Sequence, residues 1–357
     1  MRVISQPAIG GIVQFCVLVL VGLMMTSIAS AQQVAPALLR PALLVVNPEK
    51  AYLLGIAKAG ERLVAVGERG IIVLSDDNGI SWRQVPVPVS VTLNVVRFAD
   101  ARNGFVAGHG GSVLTSRDGG DSWTLSLDGR RAAEITLAAA RSRGDERAVR
   151  DAERLIADGP DKPLLDVLVR DASTAFVVGA YGLSLVTRDG GQSWQSWLAN
   201  SDNPGGLHLN AIRGNGNRIL IVGEQGLVLL SDDGGGTFRT LETPYGGSYF
   251  TAELPSGDTL VVAGLRGNTL RSTDDGKSWA VLSSPVEATI TASALQPDGE
   301  LVFVNQAGML LHERAGRLQS ISQRPLPPLN NLLPTRQAEV FVLSEQGVIA
   351  LNVGDRQ

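Results

Sequence analysis

The chain has one cysteine, three histidines and no large excess of charge of either sign. Cys16 lies in an apolar run near the amino end, so the rest of the chain can form no disulfide and carry out no thiol chemistry. His109, His208 and His312 are far apart and lack metal-ligand spacing. Lys and Arg number 31 against 35 Asp and Glu, a net charge of -4, which argues against a nucleic-acid partner. No G-x-S-x-G elbow and no phosphate-binding Gly loop is present. No metal or cofactor is therefore expected. Aromatic residues make up only 5% of the chain, yet four of the five Trp occupy one position of a repeated motif.

That motif is Ser/Thr, then Asp two residues on, Gly at four, Ser/Thr at six and an aromatic at seven. It falls at Ser75-Asp77-Gly79-Ser81-Trp82, Ser116-Asp118-Gly120-Ser122-Trp123, Thr187-Asp189-Gly191-Ser193-Trp194, Ser231-Asp233-Gly235-Thr237-Phe238 and Ser272-Asp274-Gly276-Ser278-Trp279. Five copies in one register mark a repeat protein. The Asp side chain can accept hydrogen bonds from nearby backbone N–H groups and close a turn. Gly supplies the left-handed backbone, and the aromatic opens the next strand and buries against a neighbouring unit. The motif resembles the Asp-box, or BNR repeat. One carboxylate per turn is too few for a calcium site, so the Asp reads as a structural staple.

Before each motif an apolar strand ends in a G-x-x-G turn. The turns start at Gly67, Gly108, Gly179, Gly223 and Gly264, with degenerate copies at Asn305 and Ser344, separated by 41, 71, 44, 41, 41 and 39 residues. The last two units keep the strands but lose the Asp motif. Each unit reads as four strands, as in Leu93–Phe98, Gly104–Ala107, Val113–Ser116 and Trp123–Leu127. Four short strands every ~40 residues predict an all-β, seven-bladed β-propeller over residues 32–357. A closed ring leaves no open array ends. The carboxyl end runs out after the third strand of blade seven, so the apolar segment Pro41–Val46 is expected to pair there as its outer, ring-closing strand. The long step holds an insertion, residues 128–162, between blades 2 and 3. It reads as two helices, Arg131–Arg141 and Asp145–Ile156, with Ile135, Val149, Leu155 and Ile156 as an apolar stripe.

Arg2, the apolar run Ile12–Met25 and the small-residue site Ala29-Ser30-Ala31 read as a secretory signal peptide over residues 1–31. This predicts a periplasmic or secreted protein, with an uncleaved anchor as the alternative.

In a propeller the G-x-x-G turns and the insertion share one face, opposite the Asp-box turns. Arg69, His109, Tyr181 and Arg266 project from those turns and are candidates for a partner-binding face. Near the start of the inner strands stand Asn94, Asp166, Asn210, Thr251, Thr291 and Asn330, each 13 or 14 residues before its turn. They predict a polar ring at the channel mouth, either bonding the next blade's backbone or open to a ligand. Catalytic signals are weak. Asp166 has no evident acidic partner, and Arg97, Arg170 and Arg213 read as lying at strand ends, away from a shared centre.

With a G-x-x-G turn leading into V-L-x-S-x-D-G-G-x-S-W, as in Ser112–Trp123 and Leu183–Trp194, residues 42–353 resemble the photosystem II stability and assembly factor family and its non-photosynthetic bacterial relatives. The resemblance implies a non-catalytic propeller that aids assembly or stability of a membrane protein complex, in the thylakoid lumen if the organism is photosynthetic; a monomer is expected. Arg69 and Arg266 stand in turns that match the family's Arg-rich patch. The alternatives are an accessory protein bound to a membrane exporter subunit, or a sialidase-like glycoside hydrolase, whose Arg-Ile-Pro motif is absent.

Overall fold

Runs such as Leu63-Val64-Ala65-Val66 and Phe176-Val177-Val178 are apolar at every position because each forms the second strand of a blade, covered on both faces. The computed structural model describes residues 35–198, 202–255, 257–296, 298–322, 324, 326–335 and 339–352. The signal peptide expected over residues 1–31 lies outside them. The described strands form seven antiparallel sheets, each a meander in sequence order. The inner strands are Leu53–Ala59, Leu93–Phe98, Leu164–Val169, Leu209–Asn215, Tyr249–Glu253, Ile290–Leu295 and Leu329–Pro334. This is a seven-bladed propeller.

The core lies between blades, not within them. Seven apolar clusters occupy the seven seams: Val64, Leu74, Val96 and Val106 join blades 1 and 2, for instance, and Val302, Val304, Leu329 and Val342 join blades 6 and 7. The last seam, between blades 7 and 1, is filled by Leu53, Ile56, Val73, Phe341 and Leu343. Each buried Val or Leu contributes about 1.5–3 kcal/mol relative to exposure, so the ring is held mainly by these contacts.

Six sheets have four strands, and blade 7 has three among the described residues. The expected latch is corrected here: Pro41–Val46 is not a strand of blade 7. It runs beside blade 1, where Ala42 N–H donates to Val87 O (3.0 Å), Val45 N–H to Gln84 Oε1 (2.9 Å), and Gln84 Nε2 to Leu43 O (3.0 Å). Pro41 and Pro48 lack the donors a regular ladder needs. Asn47, at φ 54°, then turns the chain into the 3-10 turn Pro48–Lys50. That turn caps the start of the third strand of blade 7, lying so close to Gly347 that a Cβ there would meet Glu49 O at 1.8 Å. Ring closure instead uses side chains. Asn330 and Asn331 donate to Leu53 O (3.1 Å) and Leu54 O (2.9 Å), and Asn78 to Glu339 (2.8 Å).

The insertion forms helices α1 (Gly129–Arg143) and α2 (Glu146–Asp158). Asp128 and Asp145 cap them by accepting from Arg131 N–H and Ala148 N–H, and Gly144 at φ 68° turns one into the other. Their buried faces are mostly alanine: Ala132, Ala133, Ala140, Ala148 and Ala152. Of the expected stripe, Ile135 and Leu155 pack against the seam of blades 2 and 3 and Val149 is half-buried, whereas Ile156 is exposed. Small side chains let the helices lie close to each other and to the sheet.

Candidate functional site

The five Asp turns share one hydrogen-bond pattern. In the second, Asp118 Oδ1 accepts from Ser116 Oγ (2.8 Å) and Ser122 N–H (3.0 Å), and Oδ2 from Ser122 Oγ (2.5 Å). Asp77, Asp189, Asp233 and Asp274 repeat it. Hydrogen bonds from the Ser193 hydroxyl and backbone hold the Asp189 carboxyl at about 2, and the same groups of Ser278 hold Asp274 at about 2. Asp233 is held well below the ordinary carboxylate range by Thr237 N–H and by Ser231. Both oxygens are thus engaged within the turn itself. The aromatic that follows packs into the seam with the preceding blade: Trp82 between 7 and 1, Trp123 between 1 and 2, Trp194 between 2 and 3, Phe238 between 3 and 4, Trp279 between 4 and 5.

At the opposite ends of the strands, the G-x-x-G turns are single 3-10 turns whose middle residue is left-handed. Arg69 (φ 56°), Tyr181 (φ 56°), Gln225 (φ 53°) and Arg266 (φ 57°) hold this conformation with full side chains, and blade 2 places Gly110 there. Such a backbone is unfavourable for non-Gly residues. Here it aims four long side chains off one face. Arg69, His109, Tyr181 and Arg266 are all exposed. The turns do not gather the two arginines, since Arg69 belongs to blade 1 and Arg266 to blade 5. The helical insertion reaches this face, with Gly129 packed against Gly111 so tightly that a Cβ on Gly111 would lie 2.4 Å from it. Leu38 covers Gly110.

The expected polar ring divides into two sets. Every inner strand has a bulge or irregularity after its first residue. Asn94, Asn210, Thr291 and Asn330 stand at that bulge. Each donates to the first inner-strand carbonyl of the next blade: Leu164 (2.8 Å), Tyr249 (2.8 Å), Leu329 (2.7 Å) and Leu53 (3.1 Å). They are seam fasteners. Asp166 and Thr251 are one residue further on, paired with Val178 and Ala263, and take part in a different network.

That network corrects two expectations. Arg97 and Arg213 do share a centre, and Arg213 links Asp166 to a second acid, Glu253. Asp166 accepts from Val167 N–H (2.9 Å), Ile212 N–H (3.0 Å) and Arg213 Nη1, with Arg97 Nη2 at 3.8 Å. Arg213 Nε lies 3.7 Å from Glu253, which accepts from Ser293 Oγ (2.8 Å), itself bonded to Thr251 (2.7 Å). The chain of polar groups crosses blades 2 to 6. Arg170 goes elsewhere, donating to Gly216 O and Asn217 Oδ1 in blade 4. Asp166 and Glu253 side chains are 6% and 9% exposed, those of Arg213 and Arg97 20% and 32%. Burial lowers Arg97. Arg213 is raised, because Asp166 and Glu253 outweigh its burial, and burial raises Glu253 against the pull of Arg213. Sequence reading missed Glu253 and Ser293. The available signal was a charge at the fifth inner-strand residue, Arg97, Arg213 or Glu253, where other blades place Ala57, Leu168, Ala294 or Leu333. The network pairs its own charges: each guanidinium faces a carboxylate, and no tyrosine joins it. Among the described residues no three His, Cys, Asp or Glu side chains meet as a metal site.

Comparison with known proteins agrees with this geometry. The family model described as "Photosynthesis system II assembly factor YCF48" matches residues 74–162 and 151–313, more than half of the chain. Among curated proteins none matches in sequence. A structure described as "YCF48 bound to D1 peptide" is similar at 18% identity and a TM-score of 0.63, covering 88% of this chain and 99% of that one. YCF48 from Cyanidioschyzon merolae is similar at 14% identity and a TM-score of 0.63, covering 88% and 98%. The WD40 β-propeller domain of Doa1 is similar at 12% identity and a TM-score of 0.60, covering 87% and 95%. At these identities the structures share the fold, and the family model carries the assignment. The chain belongs to the Photosynthesis system II assembly factor YCF48 family.

Proposed function

We propose that this protein is a non-catalytic scaffold, acting as a monomer in the periplasm or outside the cell, that holds part of a membrane protein while its complex assembles. The observation that carries the reading is family membership combined with a face whose turns present exposed side chains. A relative solved with a D1 peptide supports peptide holding as the mode of action. The channel charges are matched with one another, which suits a structural role better than substrate turnover. The signal-like segment at residues 1–31 supports the location.

Cross-linked capture from membranes of the source organism tests this. One membrane protein, from an assembling complex or an exporter, is expected to be captured. Arg69→Glu, Tyr181→Ala and Arg266→Glu together should abolish its capture while leaving the melting temperature unchanged. Capture that is indifferent to these changes overturns the assignment of the face. A fluorogenic glycoside panel addresses the hydrolase alternative: turnover that disappears in Glu253→Gln would replace the scaffold reading.

A further inference from the structure

Among the described residues, the connection from blade 2 to blade 3 carries two α-helices, and it builds a cleft. Helices α1 and α2, the Tyr181 turn and the loop of residues 203–206 line a cavity of about 380 Å³, within the range of roughly 300–1,000 Å³ typical of ligand sites. Its floor is apolar, formed by Leu155, Leu183 and Leu198. Tyr181 forms one wall. The residue is 54% exposed, yet its ring is contacted from two sides: His208 meets it edge-on at 5.0 Å and Lys162 Nζ lies 5.4 Å from its centroid.

Among the described residues, most charges of the hairpin are matched, with Arg130, outside the cleft, an exception. Arg131, Arg141 and Arg150 each face a glutamate of the hairpin itself. In the cleft, Asp151 lies 3.9 Å from Arg147, and Asp158 lies 3.8 Å from Lys162, whose closer partner is Asp161. Arg143 and Arg154 also line it, one from each helix, and neither has a carboxylate partner among the described residues. Two unmatched guanidiniums therefore flank an apolar floor beside an aromatic ring. Guanidinium groups favour carboxylates through paired, charge-assisted hydrogen bonds.

The geometry points to this cleft as a docking site for an extended acidic peptide segment of a partner protein, in which two carboxylates flank one apolar side chain. The carboxylates meet Arg143 and Arg154, and the apolar side chain enters over Leu155, Leu183 and Leu198 beside Tyr181. This rests on the proposal above that the partner is a protein, and adds where and by what chemistry one segment of it is held. A channel ligand or a glycan would not need this arrangement.

The test uses the whole chain and a fluorescent peptide with the core Glu-Leu-Glu, capped at both ends so that it has no terminal carboxylate. Binding is read by anisotropy. The peptide should bind, weaken as salt rises, and lose at least about tenfold in affinity in Arg143→Gln/Arg154→Gln, about 1.4 kcal/mol. Peptides with Gln-Leu-Gln or Glu-Ser-Glu should weaken comparably. Both arginines are exposed, so the variant should keep the native melting curve. No binding up to about 1 mM, binding indifferent to the double variant, or binding that requires a free terminal carboxylate would overturn the proposal. Membrane capture separates the two readings. If Arg143→Gln/Arg154→Gln still captures the membrane protein while the peptide fails to bind, the cleft assignment falls and the scaffold stands. If no membrane protein is captured by either form, the scaffold reading falls on its own.

Discussion

A single carboxylate organises each Asp turn, and its proton equilibrium shows how. Asp189 accepts from Thr187 Oγ1 (2.8 Å), Ser193 N–H (2.9 Å) and Ser193 Oγ (2.5 Å), which hold it at about 2, against about 3.9 in an unfolded chain. A depressed folded value means the charged form is favoured by folding. The stabilisation is complete above about pH 4, declines as pH falls from about 4 to 2, and is gone below about 2. Asp189→Asn should therefore lower the denaturation midpoint at pH 7 and converge with the unsubstituted protein near pH 2, measured by urea titration at several pH values. A constant gap across that range would show that the charge is not what matters. The aromatic after the turn acts by volume. Trp123 is 6% exposed, and its indole N–H donates to Gly120 O at 2.9 Å. Trp123→Ala should cost about 3–5 kcal/mol. Trp82→Ala should cost less, because Trp82 is only half-buried in its seam; the two are compared by chemical denaturation.

At the level of elements, the repeat spacing revealed the blades because each uses the same local chemistry. The second-unit strands read from sequence differ from the observed ones by one residue at two ends. Features that depend on which blade meets which were hidden. Arg62 joins Asp76 (2.5 Å) to Asp121 (2.9 Å) across blades 1 and 2, and Arg83 also reaches Asp121. Arg218, Asp232, Asp275 and Arg239 repeat that staple across blades 4 and 5. Nothing in the spacing of 59 residues between Arg62 and Asp121 announces a contact. The amino-terminal segment misled for a related reason. Leu43–Val46 is apolar enough for a strand, but Leu43, Leu44 and Val46 are 78%, 66% and 89% exposed, because the backbone and side-chain amide of blade 1 take its hydrogen bonds. A chain begun at Asn47 should thus loosen the seam of blades 1 and 2, where Ala37, Leu38 and Ala42 pack. Hydrogen exchange is expected to rise across residues 85–91 and to stay unchanged in blade 7. Faster exchange confined to residues 347–352 would restore the latch.

On the scale of the molecule, the described residues form seven apolar seams and, along the channel, a polar network that crosses several blades, and the two hold the ring differently. The seams are local, each joining two blades. The chain of groups from Arg97 through Asp166, Arg213 and Glu253 to Ser293 spans five consecutive blades, so it fixes their mutual positions along the channel. Its energetic worth follows from burial. Removing one member of a buried ion pair strands the other charge and costs about 3–5 kcal/mol, whereas replacing both by apolar groups is often neutral. Arg213→Met should therefore destabilise strongly, with Asp166 left beside Arg97 alone at 3.8 Å and Glu253 left with Ser293. Asp166→Asn should cost less, since Val167 N–H and Ile212 N–H keep an acceptor. Combining Arg213→Met and Arg97→Met with Asp166→Asn and Glu253→Leu removes every charge of the network and keeps an acceptor for Val167 N–H and Ile212 N–H, so it should recover much of the loss measured in denaturant. Recovery would assign the network to geometry, as expected of a scaffold. If this uncharged variant instead folds stably but no longer captures a membrane partner, the channel charges serve binding, and the working face extends from the turns into the centre of the ring.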